Sequence, residues 1–253
     1  MRIFNRIRRK LLVELKIHNY LLYAIGEILL ITVGVMIGLY LNNWNKELST
    51  RNEEEKTLLS LQESFRANQR EIIGSLREYD DALRTTNLRI DLTGPVAQVP
   101  VQVVLDSIII IDYVQLSYLY GGSAPAVSQD ELMILTSRKL TIELNRYPIQ
   151  YNRYRAAETN FNALVDQLRE IHQRHVSLLT EENHLHAPST GHDNAHPADY
   201  QAWLRDRMNQ NKSVECKWKI QQAGAELERL KAANSRILKL IETELWRLKR
   251  ARV

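Results

Sequence analysis

Hydrophobic and polar positions divide this chain into stretches of different period. Positions 20 to 41 read YLLYAIGEILLITVGVMIGLYL, with Glu27 the one charge, so apolar residues cover every face of a helix and not a single stripe. Twenty-two residues at helical rise reach about 33 Å, enough to cross a hydrocarbon layer about 30 Å thick. A cleaved signal peptide has a shorter apolar run and a small-residue cleavage site, whereas this run leads into NNWNKE, so the pattern predicts an uncleaved signal anchor. Tyr20 and Tyr23 at one end and Tyr40 and Trp44 at the other suit headgroup depth, where amphipathic rings settle, and serve as interface anchors.

After Trp44 the period changes. Leu48, Leu58, Leu59, Leu61, Phe65, Ile72, Ile73, Leu76, Tyr79, Leu83 and Leu88 recur on a pattern of three- and four-residue steps, which predicts an amphipathic helix running to about residue 92. The loop GPVAQVP closes it. Residues 101–120 suit either a buried helix or, through their β-branched run Ile108 to Ile111, a strand. Ser128 and Glu131 have capping-box spacing and open a short helix. Another is expected from Ser137 to Tyr147, stopped by Pro148, which has no amide hydrogen to donate. A long helix is then expected from Ile149 to about Glu182.

The terminal helix, beginning at Asp199 or Asn211, contains the clearest repeat. Leu227, Leu230, Asn234, Ile237 and Ile241 step by three and four, a coiled-coil seam with Asn234 as its polar member. The seam packs either against the first helix or against another subunit. The fold class expected is all-α: an N-terminal transmembrane helix continuing into a long stalk helix, with a periplasmic helical bundle or coiled coil. The expected segments are a basic amphipathic stretch at 1–19, the span at 20–43, a stalk at 44–93, a bundle region at 94–183, a His-rich loop at 184–198 and a terminal helix at 199–253.

Charge sets the expected orientation. The first nineteen residues carry Arg2, Arg6, Arg8, Arg9, Lys10 and Lys16 against Glu14, +5 of a formal net charge of +4, which leaves −1 for the rest of the chain. Lys and Arg are retained in the cytoplasm, and only Lys46, Arg51 and Lys56 follow within twenty residues of the span, so the N-terminus is expected inside. In a bacterium, residues 42–253 then lie in the periplasm. A nearly neutral body speaks against nucleic acid as a partner. The single cysteine, Cys216, excludes an intrachain disulfide framework.

Candidate chemistry is sparse. Gly34 and Gly38, four apart, allow a second helix to approach closely and predict self-association. Glu27 is an intramembrane ionisable group, either a structural one, neutral and bonded to a neighbouring helix or snorkelling towards headgroups, or one lining a proton or ion path. His184, His186, His192 and His196 crowd one polar segment, which reads either as a connector or as a weak site for a divalent metal. His172 and His175 read as surface residues of a helix. No hydrolase elbow, phosphate loop or dinucleotide fingerprint appears in the sequence, and an enzyme is not expected.

The stretch YLLYAIGEILLITVGVMIGLYLNNWN, Tyr20 to Asn45, together with the basic FNRIRRKLLVELKIHNY before it, resembles the N-terminal signature of a bacterial family of single-span membrane proteins. That family is of Bacteroidota type and is known as a domain of unknown function. The segment SQDELMILTSRKLTIELNRYPIQY, Ser128 to Tyr151, is similar to that family's helix pair, with Arg138 in place of a glycine and Pro148 within the second helix. The resemblance implies a recurring anchor with Gly26, Glu27, Gly34, Asn42, Asn43 and Trp44 in fixed places. It implies no activity or cofactor.

The function expected is that of a membrane-anchored periplasmic interaction or scaffold protein that self-associates, with the lipid bilayer and a periplasmic or membrane protein as partners. Two rivals stand beside it: an oligomeric pore or proton-coupled device using Glu27, and a metal-binding sensor using the His-rich loop.

Overall fold

The computed structural model describes residues 17–109, 127–185 and 196–250. They form seven helices and, among the described residues, no strand: α1 (Ile17–Leu92), α2 (Gln102–Ile109), α3 (Gln129–Ile134), α4 (Arg138–His175), α5 (Leu178–Leu185), α6 (Tyr200–Arg205) and α7 (Arg207–Arg250). The protein is all-α, as its periodicities predict. It divides into two compact units, Met1–Lys56 and Thr57–Val253.

In the first unit α1 passes through the apolar stretch and the polar NNWNKE sequence as one helix. From Leu21 to Leu41 its large apolar side chains are exposed, Leu30 most of all at 76%. Leucine, isoleucine and valine on every face can all be removed from water only by surroundings that cover the whole circumference. The stretch is accordingly a candidate membrane span by length and composition.

In the second unit the same helix buries one stripe. Leu58, Leu61, Phe65, Ile72 and Tyr79 enter a core shared with Leu140, Leu144, Tyr147, Tyr151, Tyr154 and Phe161 of α4 and with Cys216, Ile220, Leu227, Leu230, Ile237 and Ile241 of α7. Thus the part of the predicted stalk beyond residue 57 is one wall of a three-helix bundle. The pairings fix the directions. Asn68 meets Tyr147 and Tyr79 meets Tyr154, so α1 and α4 run parallel, whereas Arg66 meets Glu242 and Thr86 meets Cys216, so α7 runs antiparallel to α1. Parallel neighbours require the chain to travel back between them. The connection has α2 at the far end, packed with Ile171, Trp203 and Leu204, and α3 at the near end, where Leu132 and Leu135 join the main core.

Local rules account for several boundaries. Ser128 caps α3 with the predicted box: its hydroxyl accepts from the Glu131 amide, and the Glu131 carboxylate accepts from the Ser128 amide. Beyond the end of α1, Gly94 has φ +145°, a backbone region that side-chain-bearing residues avoid, and its amide donates to the Leu204 carbonyl at 2.9 Å. Residues 102–109 are helical, which settles that part of the helix-or-strand question; residues 110–120 lie outside the described residues.

Three expectations are corrected. Pro148 does not stop a helix: α4 continues through it, because Leu144, Tyr147, Tyr151 and Tyr154 on both sides are held in one buried stripe and Pro148 itself faces outward. Packing of that stripe outweighs the single amide hydrogen bond the proline removes. The helix ends instead at His175, and α5 is separate. Near the C-terminus, Asp206 divides α6 from α7, since its carboxylate accepts from the Met208 amide at 2.7 Å and so starts a new helix.

Candidate functional site

Two regions of the protein place chemistry-bearing residues together, one in each unit. In the first, Tyr23, Glu27, Ile31, Gly34 and Gly38 recur on one face of α1 at steps of three and four. A Cβ added at Gly26, Gly34 or Gly38 meets nothing within 4 Å, so the notch these glycines cut is open. Leu22, Tyr23, Gly26, Glu27, Leu30 and Ile31 line a groove at this part of the helix. Glu27 is exposed there, Tyr23 is half-buried, and Tyr40 and Trp44 are exposed at the other end of the apolar stretch. Tyr20 lies in the first turns of α1.

The second region closes the far end of the bundle. Arg89, on the last turns of α1, is completely buried. A buried guanidinium is costly unless its charge and donors are met. Here its plane lies 4.9 Å from the Trp203 ring centre, over the negative face of the indole, and its Nε donates to Asn209 Oδ1 at 3.2 Å. Asn209 is fixed in turn by donating to the Trp203 carbonyl at 2.8 Å, and Ser213 donates to the Asn209 carbonyl at 2.8 Å. The cation, the indole and the amide thus brace the last turns of α1, the short α6 and the first turn of α7 against each other.

His172 packs edge-on against Trp203, the ring centres 5.1 Å apart. Its Nε2 lies 3.7 Å from the Glu181 carboxylate, which also accepts from the Tyr200 hydroxyl at 2.8 Å. Burial, followed by the Arg89 charge and then by His175, lowers the His172 pKa to about 4, so the ring is neutral near pH 7. One turn on, His175 Nε2 stands 3.0 Å from Asp206 Oδ2. Burial pushes the Asp206 carboxyl upward, but the His175 hydrogen bond, the Met208 amide, the His175 charge and the Asn209 amide outweigh it and hold its pKa below the usual value. The cluster is a clasp: it ties the ends of α1 and α4 to α6 and the start of α7 through groups whose charge depends on pH.

This clasp overturns the reading of His172 as a surface residue, while His175 is half-buried at its edge. His172 is completely buried because α5 and α6 fold over the end of α4, a long-range event that helical spacing does not reveal. Sequence reasoning also missed Arg89, Trp203 and Asn209. The available signal was a tryptophan within the short polar segment DYQAWLRD, which needs a large apolar neighbourhood.

The other sequence candidates are placed as follows. Leu227, Leu230, Asn234, Ile237 and Ile241 are all buried inside the chain's own bundle, where their partners are α1 and α4. His184 falls in α5, His186 and His192 lie outside the described residues, and His196 is exposed, its carbonyl accepting from Thr180 at 2.9 Å. Among the described residues no group of three or more metal-ligating side chains comes together. Cys216 is buried beside Thr86. Comparison with protein-family models, with curated proteins and with solved structures finds no match for this chain.

Proposed function

We propose that this chain is a membrane-anchored helical interaction protein: a single span in the bacterial inner membrane, with the basic N-terminus cytoplasmic and the bundle periplasmic. It self-associates and holds a membrane or periplasmic protein partner. The observation that carries the reading is the exposed apolar surface of α1 from Leu21 to Leu41, beside a second unit whose large side chains are mostly gathered into a core. Lipid is the solvent that suits the first surface and water the one that suits the second. The basic excess before Tyr20 supports this direction of insertion. The resemblance of Tyr20 to Asn45 to the Bacteroidota-type single-span family fits the same placement.

Self-association is supported by the shared face of Glu27, Gly34 and Gly38. The open notch admits a second helix, and a neighbour packed there gives Glu27 a hydrogen-bonding partner away from lipid. Carbonate extraction and a reporter fused after Val253 test the proposal together. Retention in the membrane pellet with a reporter active only in the periplasm is the expected result. Release by carbonate, or a reporter active in the cytosol, overturns it.

A further inference from the structure

Polar side chains close the seam between α4 and α7 at two heights. Gln150 donates to Glu226 at 3.0 Å, and seven residues earlier on α4 the half-buried Glu143 meets Arg236 at 3.4 Å and Arg146 at 3.6 Å. The two helices run antiparallel, so four residues further along the seam Lys139 of α4 stands level with Leu240 of α7 and beside Lys239. There the alternation of opposite charges breaks. A lysine stands on each wall, and like charges repel instead of bridging the seam. The seam stays open at this height as a groove of about 380 Å³, lined by residues of α4 and α7 alone. Its apolar lining is Ile142, 39% exposed, and the half-buried Leu240.

The carboxylates of the neighbourhood do not cancel the two lysines. Glu143, the one acidic side chain in the lining, is held by Arg236 and Arg146. Glu242 is engaged by Arg66, Glu244 by Arg247 and Glu131 by the Ser128 amide, and Asp130 forms an ion pair with neither lysine. Lys139 and Lys239 are both exposed and, among the described residues, neither has an ion-pair partner. An apolar strip between two uncompensated cations is complementary to an anion that carries a hydrocarbon body. A carboxylate between the ammonium groups accepts from both and relieves their repulsion, while the carbon attached to it covers Ile142 and Leu240. The volume falls at the lower end of small-molecule sites, which run from about 300 to 1,000 Å³. Arg236 to Thr243 gives the groove about 10 Å of length. A short chain or a single ring fills that space, whereas a partner's helix, itself about 10 Å across, overfills it.

We propose that the α4–α7 groove binds a small apolar carboxylate, its charged group between Lys139 and Lys239 and its hydrocarbon part over Ile142 and Leu240. The ligand then bridges the two helices at the height where their own side chains leave them unbridged. The site lies wholly within the second unit, so the inference does not depend on the membrane-anchored reading above.

Fluorine NMR of para-trifluoromethylhydrocinnamate, titrated with the full chain in phosphatidylcholine nanodiscs, tests it, with empty nanodiscs as the reference for partition into lipid. The probe's line is expected to broaden beyond that reference and to sharpen again when octanoate competes. The chain carrying both K139E and K239E is expected to bind at least about ten-fold more weakly, and the alcohol corresponding to the probe is expected to bind the unaltered chain weaker by a similar factor. Both lysines are exposed, so the fold is expected to survive their replacement, which an unchanged unfolding midpoint verifies. K239Q, which removes one charge and adds none, is expected to give an intermediate affinity. Broadening no greater than with empty nanodiscs overturns the proposal, and so does equal affinity for the double variant or for the alcohol. If the unaltered chain leaves the probe unbound while the double variant changes subunit mass in sedimentation, the groove belongs to a second copy of the chain and the proposal falls.

Discussion

The side-chain amide of Asn234 on α7 donates to the main-chain carbonyl of Phe65 on α1 at 3.0 Å, in the middle of the bundle core. A carbonyl already used by its own helix accepts a second bond here, which fixes α7 against α1 at one rotation and one height. Asn68 donates to Asn234 Oδ1 at 2.8 Å, Gln69 Oε1 accepts from its Nδ2 at 2.6 Å, and Tyr147 joins from α4. Apolar contacts alone tolerate a slip of one heptad; this polar layer does not.

Asn234→Ala therefore leaves Asn68 buried with a lost partner and opens a small void. We expect a destabilisation of about 2–3 kcal/mol, read as a lower midpoint in denaturant with little change in slope. A cycle with Asn68→Ala is expected to show coupling of at least about 0.5 kcal/mol between the two sites. Strict additivity would mean that the layer does not act as a unit.

The clasp makes stability depend on pH in two separate windows. His172 has a folded pKa of about 4 against an ordinary value of 6.5, so between these values the unfolded chain binds the extra proton. Stability is unaffected above about pH 6.5 and falls as the pH drops towards 4, by an order of about 3 kcal/mol in all. Asp206 has a lowered pKa, so its contribution is present above the usual carboxylate range and is lost only in stronger acid. Thermal unfolding at a series of pH values checks both. His172→Phe is expected to flatten the upper window and leave the lower one in place.

How much of this was legible in the sequence follows from the range of the forces involved. The apolar stretch from Leu21 to Leu41 and the stripe from Leu58 to Tyr79 were visible because lipid exposure and core burial each leave a local period. Leu227, Leu230, Asn234, Ile237 and Ile241 form a visible seam for the same reason, although their spacing names neither Phe65 nor Asn68 as what Asn234 meets. The capping box at Ser128 is a local event, three residues apart, and is legible directly. The clasp was not legible. Arg89, His172 and Trp203 lie far apart in sequence, and each alone carries the spacing of an ordinary helix surface.

Pro148 tests the claim that packing overrides local preference in α4. It is exposed and sits between Leu144 and Tyr151, both buried, and lacks the amide hydrogen that would pair with the Leu144 carbonyl. Pro148→Ala restores that donor without disturbing the core. An increase in stability of about 1 kcal/mol or more is expected in equilibrium unfolding. A loss would show that the core is built around a bend at this position.

The face shared by Glu27, Gly34 and Gly38 makes the last prediction, because its two kinds of residue fail differently. Gly34→Leu and Gly38→Leu fill the open notch with bulk, so helices that meet there are forced apart. Each is expected to weaken self-association in detergent by at least about ten-fold, or 1.4 kcal/mol, in sedimentation equilibrium. Glu27→Gln retains the side-chain shape and a hydrogen-bonding amide but removes any titratable proton. Where Glu27 is a neutral packing group, this variant keeps its subunit mass and leaves proton flux into liposomes at the background level of the unaltered chain. A change in flux with unchanged mass assigns Glu27 to a conducting path instead, since an interhelical hydrogen bond can be made by an amide and proton transfer cannot.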